Sequence, residues 1–155
     1  MKFKVTVTTL IVAALIVLTL KGQSNTGQRM TPSEIAAVAS IGAVAGTSGV
    51  TGVETRVLKG DPNKAGLYTI QLTAPPNTTI QAHSHSDDRV ATVISGTWYI
   101  GYGPRFDEKN LKALPPGGFY TEPPGMAHFA RTGSSSVVVQ ITGFGPTSTK
   151  YVDSQ

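Results

Sequence analysis

No cysteine occurs among the 155 residues of this chain. That excludes disulfides, thiolate metal ligands, a lipid-modified cysteine and a cysteine nucleophile. Stability must come from core packing. Charge is also sparse, at 14% of residues, and its basic excess is local. Three of the thirteen basic residues (Lys2, Lys4 and Lys21) crowd the start of the chain; without them ten basic stand against nine acidic, a net charge of +1. No run of Lys or Arg alternates with aromatics, so a nucleic-acid partner is not expected. Histidine is scarce too, with only His83, His85 and His128.

The first residues read apart from the rest. Lys2 and Lys4 precede an apolar run from Val5 to Leu20, unbroken from Leu10 to Leu18, and Lys21 with the polar GQSNTGQ follows. A charged start, an apolar centre and a polar exit describe a secretory signal peptide. Sixteen apolar-run residues fall short of a spanning helix, which needs about 20. Leu20 and Lys21 stand where a cleavage site wants small residues, so an uncleaved anchor is the alternative. Residues 1–23 are therefore expected to be a signal peptide or N-terminal anchor. The protein is expected to be exported, periplasmic or secreted, touching a membrane only through residues 5–20 if these are retained. Residues 24–47 read as a linker with a short helix. Thr31-Pro32-Ser33-Glu34 has the form of a capped start, and the apolar stretch after it carries the helix to about Ser40.

From residue 48 to 152 the pattern is that of short strands. Seventeen glycines and ten prolines punctuate the chain, as in a sandwich or barrel. Strands are expected at Val53–Lys59, Leu67–Thr73, Thr78–His85, Val90–Ile94, Thr97–Tyr102, Phe119–Glu122, Ala127–Arg131 and Val137–Thr142, with Thr149–Val152 as a last edge strand. Ser95-Gly96 marks a tight hairpin. Pro104–Pro116 reads as irregular, with a helical turn at Asp107–Lys112. These eight or nine strands imply an all-β, antiparallel barrel in one domain.

His83 and His85 stand at i and i+2, so on a strand both imidazoles share a face. His128 lies in a second strand–turn–strand stretch, GGFYTEPPGMAHFART. Neutral imidazoles suit zinc, iron, copper, nickel or manganese, and a shared metal site competes with the plain reading of three ordinary hydrogen-bonded histidines.

These residues resemble the two motifs of the cupin superfamily. The first has Gly, five residues, His-x-His, three or four residues, Glu, six residues and Gly; here Asn77 stands six residues before His83, and His83-Ser84-His85 is followed by three residues, Arg89, six residues and Gly96. The second has Gly, five residues, Pro-x-Gly, two residues, His, three residues and Asn; here it runs Gly117, Pro123-Pro124-Gly125, His128 and Thr132. The likeness spans Gly49 to Val152 and includes a branch of small bacterial single-domain cupins sharing VISGTWYIGYG and LPPG-FY-EPPG-HF. It implies a cupin-type antiparallel jelly-roll β-barrel over residues 48–152. It also implies a divalent metal (Zn, Fe, Mn or Ni) on His83, His85 and His128.

Three departures stand out. Asn77 takes the place of the first-motif glycine, where the Pro75-Pro76-Asn77 turn can substitute for it. Thr132 replaces the final Asn. Arg89 holds the position of the glutamate ligand, and an arginine cannot ligate. One reading leaves the three histidines alone on the metal, as in three-histidine iron cupins or a Lewis-acid zinc site. A second brings Asp87 or Asp88 in as the missing carboxylate. A third turns Arg89 outward to pair with Asp87 or Asp88 on the surface. The expectation is a three-histidine site with an aspartate fixing an imidazole tautomer. Arg89, if it faces inward, would clamp a substrate carboxylate.

Glu122 is the candidate general base, its plain alternative being an exposed turn acid. Trp98, Tyr120 and Gln140 are candidate cavity residues, and Phe129 is expected to pack inside the barrel. The function these features imply is metal binding with chemistry on a small molecule: dioxygenase, isomerase, lyase or hydrolase. The alternative is a non-catalytic small-ligand or sugar-binding protein, or a barrel with a decayed site. A homodimer is compatible with either.

Overall fold

The computed structural model describes residues 27–42 and 47–152. The apolar run at Val5–Leu20 lies outside them, and no helix among the described residues is long and apolar enough to cross a membrane. The first element among the described residues is α1, Pro32–Ala36, whose capping box forms as expected. Glu34 N–H donates to Thr31 Oγ1 (3.3 Å) and Thr31 N–H donates to the Glu34 carboxylate (2.6 Å). The helix ends at Ala36, short of Ser40. It buries none of its residues, and an unsupported helix of this length does not propagate. Ile41 instead turns extended and exchanges two backbone hydrogen bonds with Thr55, each 2.8 Å.

Ten strands follow: β1 (Glu54–Lys59), β2 (Gly66–Ala74), β3 (Thr79–His85), β4 (Arg89–Ser95), β5 (Trp98–Tyr102), β6 (Lys112–Leu114), β7 (Phe119–Glu122), β8 (His128–Thr132), β9 (Val137–Gly145) and β10 (Thr149–Tyr151). All pair antiparallel in two five-stranded sheets, ordered β1-β2-β9-β4-β7 and β10-β3-β8-β5-β6. Expected and observed strands agree to within a few residues at their ends. The exception is β6, taken for irregular chain because KAL is too short to show alternation; pairing with β5 makes it a strand. The helical turn foreseen near Asp107 is a 3-10 turn over Glu108–Asn110, capped by Asp107.

Alternation places the core. In β2, Tyr68, Ile70, Leu72 and Ala74 point inward; in β9, Val137, Val139 and Ile141 do. They meet Ile80, Trp98, Ile100 and Ala130 of the facing sheet. Fully burying a side chain of this kind stabilises by roughly 1.5–3 kcal/mol, which is how a cysteine-free sandwich holds.

The three motif departures find local explanations. Asn77 adopts a left-handed conformation (φ 56°) and donates its N–H to Gly133 O at 2.8 Å, so it does the work of a glycine at the turn. Thr132 takes up the turn from the other side: its hydroxyl donates to Pro75 O (2.7 Å) and accepts from Thr78 N–H (2.8 Å). Gly96, at φ 74°, makes the β4–β5 hairpin, where a Cβ would run into Ser136 O. The third departure, Arg89, belongs to the site.

Candidate metal centre

Strict alternation backward from His83 would put Gln81 inside and Ile80 outside. The structure does the reverse. Ile80 opposes Ala130 and His83 opposes His128, so β3 spends one residue more than β8 between the two pairs. This bulge at Gln81–Ala82 lets Ile80 fill the core while His83 and His85 still turn inward, a use of bulges that recurs next to sites. The bulge also exposes a carbonyl: His83 Nδ1 lies 2.7 Å from Gln81 O.

The other two rings are held alike. His85 Nδ1 meets Ser148 O at 2.8 Å, and His128 Nδ1 meets Met126 O at 3.1 Å. A carbonyl can only accept, so each Nδ1 carries the proton and each Nε2 keeps a lone pair. The ring centroids stand 4.4, 4.9 and 5.1 Å apart, and the three ligand nitrogens lie within 4.8 Å of one another. All three histidines are buried, and Nε2 of His85 and of His128 has no hydrogen-bond partner. Burial, then the neighbouring His128 ring, holds His83 down to about 4; burial, then Arg89, holds His85 down to about 3. Burial lowers His128 as well. At neutral pH the three are neutral ligands.

Arg89 faces inward. Along β4, Arg89, Ala91 and Val93 share the core face and Val90 is exposed, so the outward pairing with Asp87 or Asp88 is corrected. Only 2% exposed, Arg89 donates through Nε to Glu122 Oε2 at 2.7 Å, and its Nη2 contacts the same oxygen. The two residues are direct cross-strand partners on β4 and β7. Its guanidinium is thus committed to a carboxylate of the protein, which corrects the picture of a clamp waiting for a substrate.

Glu122 is not an exposed turn acid; it is 4% exposed. Its Oε1 lies 3.5 Å from His128 Nε2 and its Oε2 lies 3.7 Å from His85 Nε2. Burial pushes its pKa up, but Arg89 and the flanking histidines more than offset this and hold it at about 2. A carboxyl held that low supplies charge rather than basicity.

The aspartates stand elsewhere. Asp87 is buried, but it accepts from the Tyr68 hydroxyl (2.7 Å) and from Thr147 Oγ1, and it bonds no histidine. Backbone carbonyls, not an aspartate, fix the imidazoles. Asp88 is exposed. Trp98 and Tyr120 line the cavity with the histidines, while Gln140 does not: it faces the outer side of its sheet and accepts from Gln71 Nε2 at 3.3 Å. Phe129 is fully buried on the back of its sheet rather than in the barrel, against Phe106 at 5.2 Å and over Gly101.

Several residues drew no attention in the sequence. Tyr151, paired with His83 through β10, stacks 5.4 Å from it, and Thr149 Oγ1 donates to Thr47 O beside His85. Ser48 lines the cavity with its hydroxyl unpartnered. Nothing periodic marks Ser48, whereas Tyr68 was readable from the alternation of LYTIQLT. The space open to a water's centre is about 20 Å³, enough for a water. Three lone-pair nitrogens and a carboxylate converging in so small a space fit a divalent transition metal.

The same two-sheet arrangement occurs in solved structures. The polyketide cyclase RemF from Streptomyces resistomycificus superposes with a TM-score of 0.65 at 16% identity, covering 84% of this chain and 88% of that one. A sugar phosphate isomerase from a cupin superfamily, from Silicibacter pomeroyi, gives 0.52 at 14%, covering 66% and 67%. An RmlC-like cupin from Shewanella frigidimarina gives 0.53 at 15%, covering 70% and 85%. No protein-family model and no curated protein sequence matches the chain. At these identities the likeness is one of fold: the chain has the cupin fold, with three buried histidines that could hold a metal.

Proposed function

We propose that this protein is a metal-dependent cupin that binds a small oxygen-bearing molecule at an ion held by His83, His85 and His128. The observation that carries the reading is the common tautomer: each Nδ1–H is tied to a backbone carbonyl, and the three rings each bring a ligand nitrogen within 4.8 Å of the others. His83, His85 and His128 would hold a divalent ion there, and it would supply Lewis acidity toward a ligand oxygen. Around it, Leu72, Ile100 and Ile141 exclude bulk water. Ser48 Oγ, buried without a hydrogen-bond partner, is placed to orient a ligand. A zinc, iron, manganese or nickel ion is compatible with this nitrogen-rich donor set.

A binding role without turnover is the second reading, favoured by one observation. Glu122 is held at about 2 and His83 and His85 at about 4 and 3, so none of these three titrates near neutral pH. Export through residues 1–23 is part of the same proposal, supported by Lys2, Lys4 and the apolar run at Val5–Leu20.

Elemental analysis of untagged protein tests the metal reading. About one transition-metal ion per chain is expected, falling to background in His83→Ala/His128→Ala. A wild type with no more metal than that variant would sink it. Mass spectrometry of exported protein is expected to show loss of about 23 residues, and an intact terminus would indicate an anchor.

A further inference from the structure

Glu122 accepts from Arg89 through Oε2, but that pairing does not account for its place between two histidine nitrogens. Its Oε1 faces His128 Nε2 at 3.5 Å and its Oε2 faces His85 Nε2 at 3.7 Å, beyond the N–H···O range. Both nitrogens are buried and unpartnered, and their rings already hold the proton on Nδ1. Carboxylate oxygens and imidazole lone pairs are all acceptors, so these contacts are repulsive unless a cation lies among them. The bonds from Arg89 Nε and Nη2 fall on Oε2, and the Tyr120 hydroxyl also bonds this carboxylate. Oε1 is the oxygen nearer His128.

We propose that Glu122 is a fourth protein ligand of the metal, delivered from β7 in exchange for Arg89 on β4. The proposal rests on the metal-centre reading above. Residues 89 and 122 are directly opposed cross-strand partners, and opposed residues point to the same face with Cβ atoms roughly 5 Å apart. Swapping arginine and carboxylate across such a pair moves the acid by one strand without removing it from the cavity. Arg89 becomes a positioning residue: two N–H groups grip Oε2, fix the plane of the carboxylate and present Oε1 to the histidines. The arginine's charge is also neutralised where it would otherwise oppose a cation. The ligand set is then three imidazoles and one carboxylate, rather than three imidazoles alone.

A spectroscopic measurement on wild-type protein tests this without a substitution. The chain has four glutamates, Glu34, Glu54, Glu108 and Glu122, and only Glu122 lies in the cavity. Manganese-loaded protein labelled with carboxyl-¹³C glutamate is expected to show the electron–nuclear coupling of a directly bound carboxylate. Coupling of only the distant kind would overturn the proposal. Glu122→Gln is expected to weaken cobalt binding by about 10- to 100-fold or more, with a changed visible spectrum. The exchange variant Arg89→Glu/Glu122→Arg is expected to return affinity toward wild type. An unchanged affinity and spectrum in Glu122→Gln would also overturn it. If wild type binds neither manganese nor cobalt, the metal-centre reading itself fails.

Discussion

Replacing Arg89 by methionine would leave the Glu122 carboxylate buried with its cation removed. Breaking a buried pair this way typically costs about 3–5 kcal/mol, and a urea midpoint lowered to match is expected. A loss under ~1 kcal/mol would mean that water reaches Glu122 freely. The histidines give a second expectation, for protein stripped of metal. Unfolded histidines take up protons near 6.5, whereas burial holds His83 at about 4 and His85 at about 3 in the fold. The unfolded chain therefore binds more protons as pH falls, and stability present above about 6.5 is lost toward 4. The slope is at most about 1.4 kcal/mol per pH unit for each ring. Glu122, depressed to about 2, removes more as pH falls from its ordinary 4.5 through that value. A urea midpoint flat between pH 7 and 5 would refute the histidine part. At this scale the sequence was partly legible. The His-x-His spacing and the second-motif position of His128 give the three rings. Nothing in the spacing says that residue 89 pairs with residue 122, because that depends on strand register 33 residues apart.

Elements set that register. Alternation predicts which residues of β2 and β9 point inward, and the burial pattern follows it throughout. It misreads β3, since a bulge has no signature in a run as polar as TIQAHSH; only the pairing of Ile80 with Ala130 and His83 with His128 reveals it. Phe129 was misassigned for a related reason. Strand alternation with His128 puts it on the opposite face, and the chain around Phe106 covers it there. Gly143 shows how tightly β9 is fitted beside the site. It opposes both Tyr68 and Arg89, and a Cβ there would lie 2.6 Å from Tyr68 Oη and 2.6 Å from Asp87 Oδ2. In Gly143→Ala the Tyr68 and Asp87 side chains must therefore shift. A destabilisation of about 1–3 kcal/mol is expected, read by thermal melting. An unaltered melting temperature would show that this corner can relax.

For the molecule as a whole, turn punctuation and the lack of helical periodicity disclose a two-sheet antiparallel fold. The order in which the strands interleave, with β9 between β2 and β4, is set by long-range pairing that no local pattern records. Metal binding couples to this global stability. At a free metal concentration 100 times the dissociation constant the gain is about 2.7 kcal/mol, on the order of 10 °C for a domain of this size. Chelator should lower the melting temperature of wild type by such a margin and leave His83→Ala/His128→Ala unmoved. One further property follows from where Trp98 sits. It is the chain's single tryptophan, buried in the wall of the same cavity as the histidines. Emission excited selectively from tryptophan therefore originates in the wall of this cavity. Copper or cobalt entering there should quench the emission almost completely, so occupancy can be followed in solution with no label and no knowledge of the substrate.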